Sequence, residues 1–106
     1  MEKVISRVNC TDDSWSAEAW LERGRMWWRA SPSRIIDCDL LVVIDANNVV
    51  RAVGRIEGVS KDLDSASGRI AITARPEFDS NWLGKTIERP GSRNPVVYVN
   101  ELREVR

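Results

Sequence analysis

The chain has 106 residues, 42% hydrophobic and 30% charged, with 16 basic and 16 acidic side chains that cancel to a formal net charge of zero. That length suits one domain, residues 1–106, with its own core, and the composition excludes disorder, which needs low hydrophobicity and high net charge. Zero net charge excludes a uniformly basic polyanion binder, so such a role would need positive charge gathered on one face.

In chain order, Lys3 to Asn9 reads as a short strand. Thr11 to Ser14 is rich in capping residues and precedes "SWSAEAWLERG". The pattern predicts a helix over Ser14 to Arg23, with Ala17, Trp20 and Leu21 on one face and Gly24 as a left-handed stop. "RMWWRA" reads as a strand, because aromatic side chains suit a pleated surface. Ser31 and Pro32 then suit the cap and first position of a short helical turn. "DLLVVIDA" is a continuous apolar strand, expected to be central and covered on both faces. Asn47-Asn48 is a hairpin turn, with Asp45 at its start.

The partner strand is "VVRAVGRIEGVS". Val50, Ala52, Gly54, Ile56 and Gly58 are expected on its inward face, with Arg51, Arg55 and Glu57 outward. Gly54 and Gly58 suggest bends or bulges. "KDLDSASG" is a polar loop. "RIAITAR" is a strand with Ile70, Ile72 and Ala74 inward and Arg69, Thr73 and Arg75 outward. "PEFDSNWLGKTIERPGSRNP" is mainly loop, and "VVYVNELREV" closes the chain as a strand. Together these predict an α+β, mostly β domain: a small curled sheet or partly open β-barrel with one or two short helices.

The chemistry-bearing residues are few. The chain has Cys10 and Cys38 and no histidine, so a structural zinc site of four Cys/His ligands cannot be assembled, and the usual catalytic triads are absent. Cys38 lies between two Asp residues, which would raise its pKa, and core packing is its expected role. No signal-peptide core precedes the first strand, and the longest apolar run, Leu40 to Ile44, is far too short to span a membrane. The expectation is a cytoplasmic protein without cofactor or metal. "LGKT" at Leu83 to Thr86 carries the tail of a phosphate-binding loop, but the Gly required five positions before Gly84 is Asp79. A carboxylate there would repel phosphate, leaving Lys85 as at most a single anion contact.

The remaining constellation is "RGRMWWRASPSR", Arg23 to Arg34, with four Arg, two Trp and no acid. Trp faces can stack on bases, and Arg can pair with phosphates. In a strand Trp27 and Trp28 point to opposite faces, so only one shares a face with the core. The bland alternative is that each Trp is structural, its indole N–H satisfied by a hydrogen bond.

In order, "WWRAS", "CDLLVVIDANNVVRAVGRIEG", "WLGKTI" and "NPVVYVNE" resemble a family of small bacterial domains with a Trp-Arg-x-Ser and Asn-Pro-x-x-Tyr pattern, over about Trp27 to Glu101. Each motif alone is weak, and their order carries the resemblance. It implies a PUA- or EVE-like curled sheet, a class that binds RNA or modified bases in DNA. It carries over to Trp28, Arg29, Ser31, Gly84, Lys85, Asn94, Pro95 and Tyr98. Trp27 or Trp28 would stack a base, Ser31 and Asn94 would bond its edge, and Arg29, Arg34 and Lys85 would meet phosphates. Asn94-Pro95 also has a purely structural reading, as the entry to a strand.

Three functions follow as expectations. The first is a nucleic-acid or nucleotide-binding domain whose site draws on Trp27, Trp28, Arg29, Ser31, Arg34, Lys85, Asn94 and Tyr98. The second is a protein-interaction module, such as a phage or mobile-element factor binding a host protein, since Arg and Trp are enriched at interface hot spots. The third is a small metal-dependent hydrolase using carboxylates such as Asp45.

Overall fold

The structure, a computed structural model, describes residues 2–26, 28, 31–61 and 69–105. Five strands form one open mixed sheet in the order β4-β3-β2-β1-β5. The strands are β1 (Lys3–Arg7), β2 (Leu40–Ile44), β3 (Val50–Lys61), β4 (Ile70–Pro76) and β5 (Val96–Val99). Two helices, α1 (Ala17–Gly24) and α2 (Pro32–Ile36), lie in the connection from β1 to β2. That connection makes β1 and β2 parallel, Lys3 opposite Leu40 and Arg7 opposite Ile44, while every other pairing is antiparallel. The protein is thus α+β and mostly β, with a curled open sheet.

Alternation along the central strands sends side chains to two cores. Val4, Leu41, Val43 and Ala52 pack with Trp20, Leu21 and Ile35 on the helix side. Ile5, Val42, Ile44, Val53 and Val97 pack with Ile87 on the other side, under Trp82, Leu83 and Leu102. The continuous apolar run of β2 is therefore central and covered on both faces, as its composition predicts.

Helix α1 begins later than expected. Ser16 is its cap, its hydroxyl accepting from the Ala19 N–H at 3.2 Å. Ser14 instead donates to Asp12 from its backbone N–H and its hydroxyl. Gly24 is not a left-handed stop: the only glycine with positive φ among the described residues is Gly84. Gly24 is buried where the helix end meets Val43, a packing role taken up below.

The expected strand at "RMWWRA" is reduced, among its described residues, to contacts along the outer edge of β4. Trp28 and Ile70 exchange backbone hydrogen bonds of 2.9 Å, and the Ile72 N–H donates to the Arg25 carbonyl. Trp27, Arg29 and Ala30, which fall in that span, lie outside the described residues. At the far end, β5 is also shorter than expected. It stops at Val99, and Glu104 bridges back to Ile87 instead.

Two bulges in β3 correct the expected facing. Val43 pairs with Ala52 but Ile44 with Val50, so Arg51 is the extra residue. Val50 consequently packs in the loop-side core and Ala52 in the helix-side core, on opposite faces. A second shift skips Glu57, next to Gly58, as the glycine suggests. Gly54 serves a close approach rather than a bend: a Cβ there would lie 2.9 Å from the Ala74 Cβ.

Cys38 is buried, with its thiol directed at the Arg34 carbonyl at 3.3 Å. Burial is the main cause that pushes this thiol up, and Glu2 adds to it ahead of the flanking Asp39 and Asp37. The unfolded thiol ionises near pH 8.5 while the folded one stays neutral, so this contribution to stability is present below that pH and lost as pH rises above it. Native alkylation should therefore modify half-buried Cys10 well before Cys38, as read by intact mass. Equal labelling rates would contradict the packing of Cys38.

Candidate functional site

The helix-side surface brings together two of the residues singled out from sequence, Arg34 and Tyr98, with Ser31 at the start of the same short helix as Arg34. Arg34, exposed on α2, places its guanidinium 4.0 Å from the centroid of the Tyr98 ring on β5. Its Nη2 also donates to Glu2 at 3.0 Å, and Arg34 remains 52% exposed. The Glu2 contact raises the Arg34 pKa further, so this cation is permanent. Burial pushes the Tyr98 hydroxyl up, which keeps the ring neutral. Ser31 caps α2 by position only, its exposed hydroxyl 3.0 Å from that of Ser33.

Trp28 also faces the helix-side core, half-buried, and its indole N–H donates to the Gly24 carbonyl at 2.7 Å. That is the satisfied, structural tryptophan of the bland reading. Trp27 and Arg29 lie outside the described residues, so their part in a site is not described.

Lys85 and Asn94 are placed elsewhere. Lys85 follows the Gly84 turn beside Val50, and its ammonium lies 5.3 Å from the Trp82 centroid, where Trp82 covers the loop-side core. Asn94 uses its side chain to accept from the Val96 N–H at 3.0 Å, and its backbone carbonyl accepts from Arg89. It therefore shapes the entry into β5, the structural reading of Asn94-Pro95.

Sequence reasoning missed a second cluster. The Arg51 Nε donates to buried Asp45 at 2.9 Å and its Nη2 pairs with Asp13 at 2.6 Å. Its guanidinium also lies 5.6 Å from the Trp20 centroid. Trp20 meets Trp15 at 4.8 Å, and Arg23 lies 4.9 Å from the Trp15 centroid. The signal was the bulge, which turns Arg51 toward the Asp45 turn and is invisible in a strict period-2 reading. Asp45 Oδ1 accepts from the N–H groups of Asn47 and Val49, so it is a turn residue as expected. Among the described residues, no group of three or more His, Cys, Asp or Glu is placed to hold a metal ion.

Among the described residues, four rings thus carry a cation from their own chain: Trp15, Trp20, Trp82 and Tyr98. A base would compete with these contacts to stack, so the chemistry on offer is mainly the outer edge of a fixed guanidinium. The chain matches no family model, no curated protein and no solved structure.

Proposed function

We propose that the chain is a nucleic-acid or nucleotide-binding domain whose contact surface is the patch of Arg34, Tyr98 and Ser31. The carrying observation is Arg34, held over Tyr98 at 4.0 Å with half its surface exposed. One nitrogen bonds Glu2, and the other donors have no partner among the described residues. Fixing a guanidinium before binding removes part of the ordering cost, and its planar fork suits phosphate and base edges. A PUA- or EVE-like kinship and a cytoplasmic setting belong to the same proposal. The former rests on the order of the sequence motifs, and the latter is compatible with the free thiols Cys10 and Cys38.

Fluorescence anisotropy with labelled single-stranded and duplex oligonucleotides tests it. Binding should weaken as salt rises, and Arg34→Gln should weaken it further and reduce the salt slope by about one. Absence of binding tighter than a Kd of about 10⁻⁴ M at low salt would remove the proposal.

A second reading, a protein-interaction module, is favoured by the exposure of Ile36 at 60% and Phe78 at 58%. Under that reading Ile36→Glu abolishes partner binding and Arg34→Gln leaves its salt dependence unchanged.

A further inference from the structure

We infer that the outer edge of β5 pairs with the same edge of a second copy of this chain, antiparallel about Tyr98, to form a closed two-fold dimer. The pairing does not rest on the nucleic-acid reading. The ladder between β1 and β5 sets which backbone groups face outward. The Arg7 N–H donates to the Pro95 carbonyl at 2.9 Å, and Ser6, Ile5 and Val4 follow opposite Val96, Val97 and Tyr98. Hydrogen-bonded and open pairs alternate in an antiparallel ladder, so Val97 and Val99 bond to β1, while Val96 and Tyr98 turn their N–H and C=O groups outward. The Asn94 side chain takes the Val96 N–H at 3.0 Å. The Val96 carbonyl and both backbone groups of Tyr98 have no partner among the described residues.

The opposite edge of the sheet is largely closed by the chain itself. On β4 the outward groups of Ile70 are bonded to Trp28, the Ile72 N–H is bonded to the Arg25 carbonyl, and Pro76 has no N–H. That leaves Ala74 as the outward amide of β4 without a partner among the described residues. By contrast, β5 lacks the usual defences of an edge strand. Val96–Val99 holds no charge, no proline and no bulge, and its β-branched and aromatic residues all favour strands.

A second copy is the occupant that fits. Val97-Tyr98-Val99 reads the same in both directions. An antiparallel mate about Tyr98 therefore sets Tyr against Tyr and each Val97 against Val99 of the other copy, with no like charges opposed. Tyr98 and its mate exchange two N–H···O bonds, and each Val96 carbonyl faces the Asn100 N–H of the other copy. The chain carries no net charge, and Glu2 offsets Arg34 beside Tyr98, so repulsion does not oppose the approach. Because β4 is largely closed, growth stops at two copies. The seam is only a few residues long, less than the roughly 1,200 Å² of a stable interface, so the dimer dissociates on dilution. The two-fold axis is perpendicular to the sheet, which places both Arg34–Tyr98 patches on one face.

Sedimentation equilibrium of the full chain, without nucleic acid, tests the pairing at concentrations up to about 1 mM. The mass should rise from that of one chain toward that of two and no further. Over the same series, NMR hydrogen exchange should slow at the Tyr98 amide and stay constant at the Ala74 amide. Asn100→Pro changes an exposed position just past the strand, where the extended Val99 before it tolerates proline. It removes a donor from each side of the seam and should weaken association roughly tenfold or more. Should that variant fail to fold, the wild-type exchange data decide alone. A chain that stays monomeric at the highest concentration leaves the edge to a strand of another protein and overturns the inference. So does growth beyond two copies, a dimer in which Tyr98 exchange ignores concentration, or a folded Asn100→Pro that associates as wild type does. Oligonucleotide binding is read separately, so either proposal can fail without the other.

Discussion

Asp45→Ala should destabilise the protein by about 3 kcal/mol, the largest loss expected from any single polar side chain here. Asp45 is 1% exposed, and its two oxygens serve different partners. Oδ1 accepts from the N–H groups of Asn47 at 2.8 Å and Val49 at 3.0 Å, holding the β2–β3 turn in which Asn48 has φ 64°. Oδ2 accepts from Arg51 at 2.9 Å. Truncating one member of a buried pair costs about 3–5 kcal/mol, because the other charge stays behind. The lower end applies, since Arg51 keeps Asp13 and is partly solvated. In a domain of this size that lowers the melting temperature by roughly 10–20 °C. Asp45→Asn retains a carbonyl oxygen for the turn and loses only the charge, so it should cost about half as much. Denaturant melts of the two variants check this, and equal losses would mean that the ion pair with Arg51 alone matters.

Gly24→Ala should also destabilise, by about 1–3 kcal/mol, although Ala is the better helix former by about 1 kcal/mol. The added methyl would sit 2.6 Å from Val43 Cγ1, closer still to Cγ2, and 3.0 Å from Ser6 Oγ. Val43 is fully buried and β-branched, so it has little freedom to rotate away. The clash outweighs the propensity gain. Val43→Ala removes both obstructing methyls, so the double variant should be more stable than the sum of the two single losses. A double-mutant cycle measures that coupling. Stabilisation by Gly24→Ala alone would show that α1 does not press on β2 as closely as the geometry indicates.

These two residues also show where sequence patterning was sufficient. The role of Asp45 at a turn was legible, because an Asp before Asn-Asn has local backbone donors to bond. Its hold on Arg51 was not, because one inserted residue reverses the facing of everything before it. Gly24 was legible as special but for the wrong reason: conformational freedom and lack of bulk leave the same letter in a sequence. The central strand was read correctly from its unbroken apolar run. Arg34 and Tyr98 were both singled out, while their contact depends on packing between residues far apart in the chain. Lys85 and Asn94 went elsewhere because short motifs encode local turns and do not specify which sheet face receives them.

The pairing of β1 has a kinetic consequence. Lys3 is hydrogen-bonded into register with Leu40 on one side and Val99 on the other. Neither partner is near in sequence, so β1 gains no ladder until a long stretch of chain has been ordered. The antiparallel β2–β3–β4 meander is the more local unit and is the natural nucleus. Loop-closure entropy opposes the β1 contacts until that nucleus exists, which places folding toward the slow, millisecond-to-second end of the two-state range. Substitutions at the β1–β5 seam, such as Val97→Ala, should accelerate unfolding and leave the refolding rate almost unchanged.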